Sequence, residues 1–271
     1  MLDRNRIKRS FHANARLYDG LATVQRRVAA RLVTLLRERQ LAPAALLDVG
    51  CGTGTLLSFL EGLYPDSRLV GVDLAYNMTR MAAAKVGADS VFAAGDAEHL
   101  PFRDRAFDLV VTSSTLQWLE SLDKSIEEMF RVAVPGGLVV IAYFGQETLW
   151  ELRECYRQVL LRRGKGGDER HQQRLHRFCE AGELEMALAS AGAETLMVCS
   201  EREVVRHADV RELLGAIKNI GAGAGARRGA GGLGWRGILS DLDAEYNRRF
   251  RGDDSIPATY EVVYAVARRA A

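Results

Sequence analysis

The sequence predicts an α/β fold: a doubly wound, mostly parallel seven-stranded sheet, preceded by N-terminal helices and carrying a helical insertion after the fifth strand. Three observations predict it. Short apolar runs alternate with stretches of helical periodicity from residue 46 onward. The runs are continuous, as expected for strands buried on both faces. Hydrophobic residues make up 48% of the 271, enough for a large core.

The elements follow in order. Leu17, Leu21, Val24, Val28, Leu32 and Leu35 recur at steps of three and four, which predicts one opening helix that ends before Pro43. Residues 46–50 read as the first strand, followed by a helix over 56–64 and a Pro65-Asp66 turn. Strands at 68–73, 91–95, 107–113 and 138–144 complete a set of five, with helices at 78–85 and 122–133 between them. The second of these helices stops at Pro135-Gly136-Gly137, a turn signal. Beyond Phe144 the pattern gives helices at 148–163, 180–190, 210–220 and 238–250, and strands at 195–205 and 259–267. The expected units are an N-terminal helical cap (1–42), a core (43–146), a helical insertion with a connecting helix (147–193), and a C-terminal part completing the sheet (194–271).

Composition excludes several function classes. Lys+Arg 37 against Asp+Glu 35 gives a net charge of +2, so the chain is no general electrostatic glove for nucleic acid. No apolar run approaches a bilayer span, so no membrane partner is expected. Cys51, Cys155, Cys179 and Cys199 form no C-x-x-C pair, which fits reduced thiols and a cytoplasmic protein. His171 and His176 stand five apart without a third ligand, so no metal is assigned. The 26 glycines concentrate at 50–54, 164–167 and 221–237; the last two groups read as flexible joints.

Chemistry enters at Asp48-Val49-Gly50-Cys51-Gly52-Thr53-Gly54, between the first strand and its helix. Glycines there let the backbone turn tightly and approach a ligand, a Rossmann-like arrangement with helix N–H groups facing the crevice. The dinucleotide fingerprint needs a third glycine at 55, where Thr55 stands, so a nicotinamide reductase is disfavoured. Asp73 ends the second strand, where a carboxylate can accept from both hydroxyls of a ribose. Asp96 ends the third, within Gly95-Asp96-Ala97-Glu98-His99-Leu100-Pro101-Phe102. Each acid alone would read as a solvated strand end; three at successive strand ends point to a bound ligand.

This spacing resembles motif I of the class I S-adenosylmethionine-dependent methyltransferases, and Phe107–Ser113 with Leu116-Gln117-Trp118 resembles motif IV and its loop. The resemblance implies S-adenosylmethionine as cofactor, held by Asp48, Gly50, Cys51, Gly52, Gly54, Asp73, Leu74, Met78, Asp96, Ala97 and Ser113. Asp96 would accept from the adenine amino group beside the Ala97 N–H, with Leu74 and Met78 as apolar walls. Ser113-Ser114-Thr115-Leu116 departs from the Asn/Asp-Pro-Pro-aromatic motif of amino-methylating enzymes, which disfavours a base or glutamine acceptor. Phe11, Tyr18-Asp19 and Gln25, then Thr148–Leu152, Lys218-x-x-Gly221-Ala222 and Pro257–Tyr264, resemble the malonyl-[acyl-carrier protein] O-methyltransferases of biotin synthesis. An Asn expected soon after Ala222 is replaced by Gly223-Ala224-Gly225.

The resemblance implies an acyl carrier protein as substrate carrier and a site without a catalytic acid or base, because a carboxylate arrives ionised. Tyr18, Gln117 and Trp118 are the pocket candidates. A basic run, Arg153, Arg157, Arg162, Arg163 and Lys165 with Arg170, Arg174 and Arg177 behind, is expected to steer an acidic carrier. The core motifs alone also fit methyltransferases of small acids or quinone precursors. A binding protein that keeps the fold without turnover is the reading of another class.

Overall fold

The computed structural model describes residues 4–165, 178–220 and 233–270. The joint expected at 221–237 falls mostly outside the described residues, as do Gly166, Gly167, Arg170, His171, Arg174, His176 and Arg177.

Two helices come first: α1 (Arg4–Leu21) and α2 (Thr23–Arg37). The single opening helix expected from periodicity is therefore two, broken at Ala22, whose backbone (φ −83°, ψ 50°) leaves the helical region. The periodic leucines before the break do not reach the core: Leu17 is 64% and Leu21 40% exposed. Only the later part, Val24, Val28, Leu32 and Leu35, is buried, together with Ala29, Val33 and Leu36. Leu32 and Leu36 are fully buried, each contributing roughly 1.5–3 kcal/mol of apolar transfer.

Then β1 (Ala45–Val49), α3 (Thr55–Leu63), β2 (Arg68–Asp73), α4 (Tyr76–Lys85), β3 (Val91–Ala94) and β4 (Phe107–Ser113) alternate. They continue through a short 3-10 turn (Leu116–Trp118), α5 (Leu122–Val132) and β5 (Ala133–Phe144). Pro135-Gly136-Gly137 lies inside β5 rather than ending α5, and the β4–β5 register shifts between Phe107 and Leu109 to accommodate it. Next come α6 (Trp150–Arg162), α7 (Ala181–Ser190), β6 (Ala193–His207), α8 (Val210–Asn219), α9 (Leu233–Phe250) and β7 (Ile256–Arg269). Asp209 starts α8 as a reciprocal cap: it accepts from Glu212 N (2.8 Å) while Glu212 Oε2 accepts from Ala208 N (2.5 Å). Helix α9 begins at Leu233, five residues before the periodicity predicts.

The sheet has seven strands in the order β3-β2-β1-β4-β5-β7-β6. Pairs β1–β2, β1–β4, β2–β3 and β4–β5 are parallel, whereas β7 runs antiparallel to both β5 and β6. Alternate residues of β5 separate into two cores. Leu138, Val140, Ala142 and Phe144 join the layer containing α2, α3 and α6; Val139, Ile141 and Tyr143 join that of α5 and α7. A third cluster, Ala15, Ala75 and Met78 with Phe11, Tyr18 and Met81, packs α1 onto α4. The order reverses beside β1, with β2 on one side and β4 on the other. Ligands of open α/β sheets bind at this switch point, off the carboxyl ends of the strands.

Candidate active site

At the carboxyl end of β1 the chain makes three left-handed glycine turns, at Gly50 (φ +75°), Gly52 (φ +52°) and Gly54 (φ +81°). Each conformation is cheap only for glycine. Gly50 is tight for a second reason: a Cβ there would sit 2.1 Å from Thr115 Oγ1. Thr115 also points its hydroxyl at Gly50 O (3.4 Å), so the loop after β4 is keyed into the glycine loop. Gly54 has another role: a Cβ on it would lie 3.0 Å from Ala82 Cα, so it permits α3 and α4 to approach.

Two adjoining cavities open over this loop. The larger, about 290 Å³, is bounded by Tyr18, Arg26, Asp48, Cys51, Thr53 and Lys85 among others; the smaller, about 100 Å³, by Phe11, Asp73, Leu74, Met78, Asp96, Ala97 and Trp118. Tyr18, Gly50, Gly52, Ser113 and Ser114 line both. Of the residues expected from sequence, Gly54 and Gln117 line neither. Gln117 is buried and donates from Nε2 to Ser114 O (2.8 Å), bracing the post-β4 loop from behind.

The electrostatics are those of buried acids. Asp48 is 1% exposed, and its Oδ1 is buried without a hydrogen-bond partner. Burial, with the charge of Asp73 nearby, pushes its pKa up to about 8. Asp73 accepts from Gly52 N (3.0 Å) and Ala75 N (2.7 Å). Burial raises it to about 6, against the opposing pull of those two N–H groups. Each Asp73 oxygen keeps lone-pair capacity for a further donor. Asp96 accepts from Glu98 N through Oδ1 (3.0 Å), which fixes the turn after β3. The Cys51 thiol is pushed up by burial, then by Asp73 and Asp48, so it stays protonated and unreactive.

The cover comes from α1. Tyr18 is half-buried, and burial with the charges of Asp73 and Asp19 raises its phenol, which stays a donor at neutral pH. Phe11 meets Trp118 edge-on (5.5 Å between centroids) and Tyr18 at 6.2 Å. Asn77 Nδ2 donates to His12 O (3.1 Å). Asp19 accepts from Thr53 Oγ1 and pairs with Lys85 Nζ (2.6 Å), which also reaches Thr55 Oγ1 (3.1 Å). Burial opposes the Asp19 charge, but the Lys85 hydrogen bond prevails and holds its pKa below the ordinary carboxylate value. This latch between α1 and the glycine loop was not read from the sequence, and neither was Ser114. Ser114 takes a left-handed backbone (φ +57°) unusual for serine and buries an unpartnered hydroxyl at the strand end.

Among the described residues no group of three or more His, Cys, Asp or Glu could hold a metal ion, and no helix is long and apolar enough to cross a membrane. The described arginines on and after α6 are tied down, but they share carboxylates: Glu154 also pairs with Arg249 and Glu245 with Arg248. Arg157 pairs with Glu154 (3.0 Å), Arg162 with Glu245 (2.8 Å) and Arg163 with Asp241 (2.6 Å), while Arg153 donates to Gln146 O. The described part of the expected steering face is thus held in ion pairs while keeping more arginines than carboxylates, and Arg170, Arg174 and Arg177 lie outside the described residues.

Comparison with known proteins agrees with this geometry. A methyltransferase domain model matches residues 47–141. A Bacillus halodurans protein assigned to the methyltransferases has the same fold, with a TM-score of 0.61 at 17% identity over 89% of this chain and all of that one. The malonyl-[acyl-carrier protein] O-methyltransferase of Geobacter sulfurreducens is 42% identical over 271 residues, covering 99% of this chain and 100% of the relative. The enzyme of the same name from a Methylovorus species is 35% identical over 98% of this chain and 89% of its own. Similarity of that depth extends through α1, the insertion and β7, well beyond the common core, and on it the chain belongs to the family of malonyl-[acyl-carrier protein] O-methyltransferases.

Proposed function

We propose that the protein transfers a methyl group from S-adenosylmethionine to the free carboxylate of a malonyl thioester carried on acyl carrier protein, in biotin synthesis and in the cytoplasm. The near-full-length 42% identity to the Geobacter sulfurreducens enzyme carries this reading. The residues present fit the cofactor. Asp48 has a buried oxygen with no partner in the protein, which suits an ammonium group. Asp73 has lone pairs to spare for ribose hydroxyls, and Asp96 with Ala97 would meet the adenine edge between Leu74 and Met78. Gly50 and Gly52 give the ligand close access to the backbone, while Ser113 closes the strand end.

When bound, S-adenosylmethionine would supply an electrophilic methyl on its sulfonium for the acceptor oxygen, with the sulfur as leaving group. An acceptor carboxyl with an ordinary pKa near 4 is already ionised at neutral pH, so no proton has to be removed. The protein's task is alignment and exclusion of water. Phe11, Trp118 and Tyr18 supply an apolar cover with one phenolic donor, and the Asp19–Lys85 pair holds α1 closed over it.

The test is direct. The protein is incubated with methyl-labelled S-adenosylmethionine and malonyl-, acetyl- or holo-acyl carrier protein, and base-labile methyl ester is counted. Label on the malonyl form alone is expected. Label on the acetyl form, or none on the malonyl form, would overturn the assignment.

A further inference from the structure

A carrier protein must present its arm to a site that α1 covers, so the surface beside that cover matters most. Helix α1 carries no acid before Asp19 at its far end. Steps of four place Lys8, His12 and Arg16 along one stripe, with Arg9 beside it. All four are exposed, and Lys8, Arg9 and Arg16 form no ion pair among the described residues. The neighbouring face of the same helix is the one that works at the site: Ile7, Phe11 and Tyr18 line the smaller cavity. Unpaired positive charge and cavity wall thus lie on adjacent faces of a single helix. Helix α6, by contrast, contributes no residue to either cavity, and its Arg157 and Arg162 are held by Glu154 and Glu245. A basic face away from the cavities draws a partner in without bringing its arm to the site.

We infer that the acyl carrier protein docks on the basic outer stripe of α1, Lys8, Arg9 and Arg16, rather than on α6. The inference rests on the proposed function, since an acidic carrier is the partner whose charge complements this stripe. Docking there brings the carrier beside the α1 cover, so the acceptor arm enters next to Phe11 and Trp118. The attraction steers encounter, so it acts on kcat/KM and weakens with salt, while a small acceptor without the acidic domain does not feel it.

The test compares malonyl-acyl carrier protein with malonyl-pantetheine, which carries the same reacting carboxylate on the same arm without the protein. In the triple variant Lys8→Glu/Arg9→Glu/Arg16→Glu, kcat/KM on the carrier substrate should fall about tenfold or more and lose its salt dependence. Turnover of malonyl-pantetheine should be unchanged, and Arg157→Glu should leave both substrates unaffected. If the triple reversal also impairs malonyl-pantetheine turnover, the neutral pair Lys8→Gln/Arg16→Gln replaces it and is judged by the same ratio of the two substrates. A ratio that stays at the wild-type value, or one that falls in Arg157→Glu instead, overturns docking on α1 and leaves the function standing. Wild-type protein that methylates neither malonyl substrate removes the functional reading, and the docking inference with it.

Discussion

The proposed contact of Asp48 with the cofactor's ammonium group predicts that binding is proton-linked. In the ligand-free protein burial and the charge of Asp73 hold its pKa at about 8. An ammonium group beside it would favour the ionised form, so binding must expel the proton that Asp48 carries at neutral pH. The ionised fraction of a group with that pKa rises from about 1% at pH 6 to about one half at pH 8, an affinity gain of roughly 50-fold. Asp73, raised to about 6, adds about a further twofold over the same interval as its own ionisation completes. Titration calorimetry with S-adenosylhomocysteine, in buffers of different ionisation enthalpy, should therefore show affinity climbing from pH 6 to 8. About one proton should be released per ligand at pH 7, about 0.9 of it from Asp48. Asp48→Asn should bind more weakly at pH 8 and show almost no pH dependence between 7 and 8. The same shift has a consequence without ligand. The unfolded chain loses this proton near pH 4 and the folded one near 8, so ligand-free stability declines as pH rises across that window. Affinity that stays flat from pH 6 to 8 without proton release would refute the placement of an ammonium at Asp48.

Two further outcomes are expected. Asp73→Ala should weaken S-adenosylhomocysteine at least tenfold, because it removes the proposed ribose acceptor and leaves Gly52 N and Ala75 N without their partner; unchanged affinity by calorimetry would dismiss the ribose assignment. Glu245 is buried, and hydrogen bonds from Arg248 and Arg162 outweigh burial to hold its pKa at about 2. Thermal melts of Arg162→Ala/Arg248→Ala should show a loss of about 3 kcal/mol at neutral pH, as an uncompensated buried carboxylate costs, and the loss should shrink as pH falls through the carboxylate range.

The parts of this molecule legible in its sequence are those written in local pattern. Strands β2 and β4 begin and end at the residues their apolar runs indicate, since β-branched residues bounded by turn signals leave little choice. Asp73 ends β2 beside the switch point and Asp96 follows β3 by two residues, because βαβ connectivity brings both to the carboxyl edge of the sheet. What the pattern misses is set by contacts distant in sequence. The break at Ala22 follows Asp19-Gly20, a signal that the leucine periodicity running across it hides, and Leu17 continues a heptad-like rhythm that the fold leaves in solvent. The Asp19–Lys85 latch joins residues on α1 and α4 that no spacing rule connects. Ser114 adopts a backbone that sequence reserves for glycine or asparagine, and the bonds that hold it come from Ala142 O and Gln117. Gln117 is a pocket candidate through its likeness to the motif IV loop, yet the tight turn there sends its side chain behind the loop and that of Trp118 toward the cavity.

The position of β7 has a consequence for how the chain is made. It lies between β5 and β6, pairing with both, although it follows them in the sequence. During synthesis β1 to β5 can assemble in order, but β6 emerges with no neighbour and β5 keeps an open edge until residues 256–269 leave the ribosome. Such an edge invites pairing with other chains. A nascent chain stalled between His207 and Ile256 thus keeps the β5 edge open, and emergence of β7 covers that edge and pairs β6 in one step.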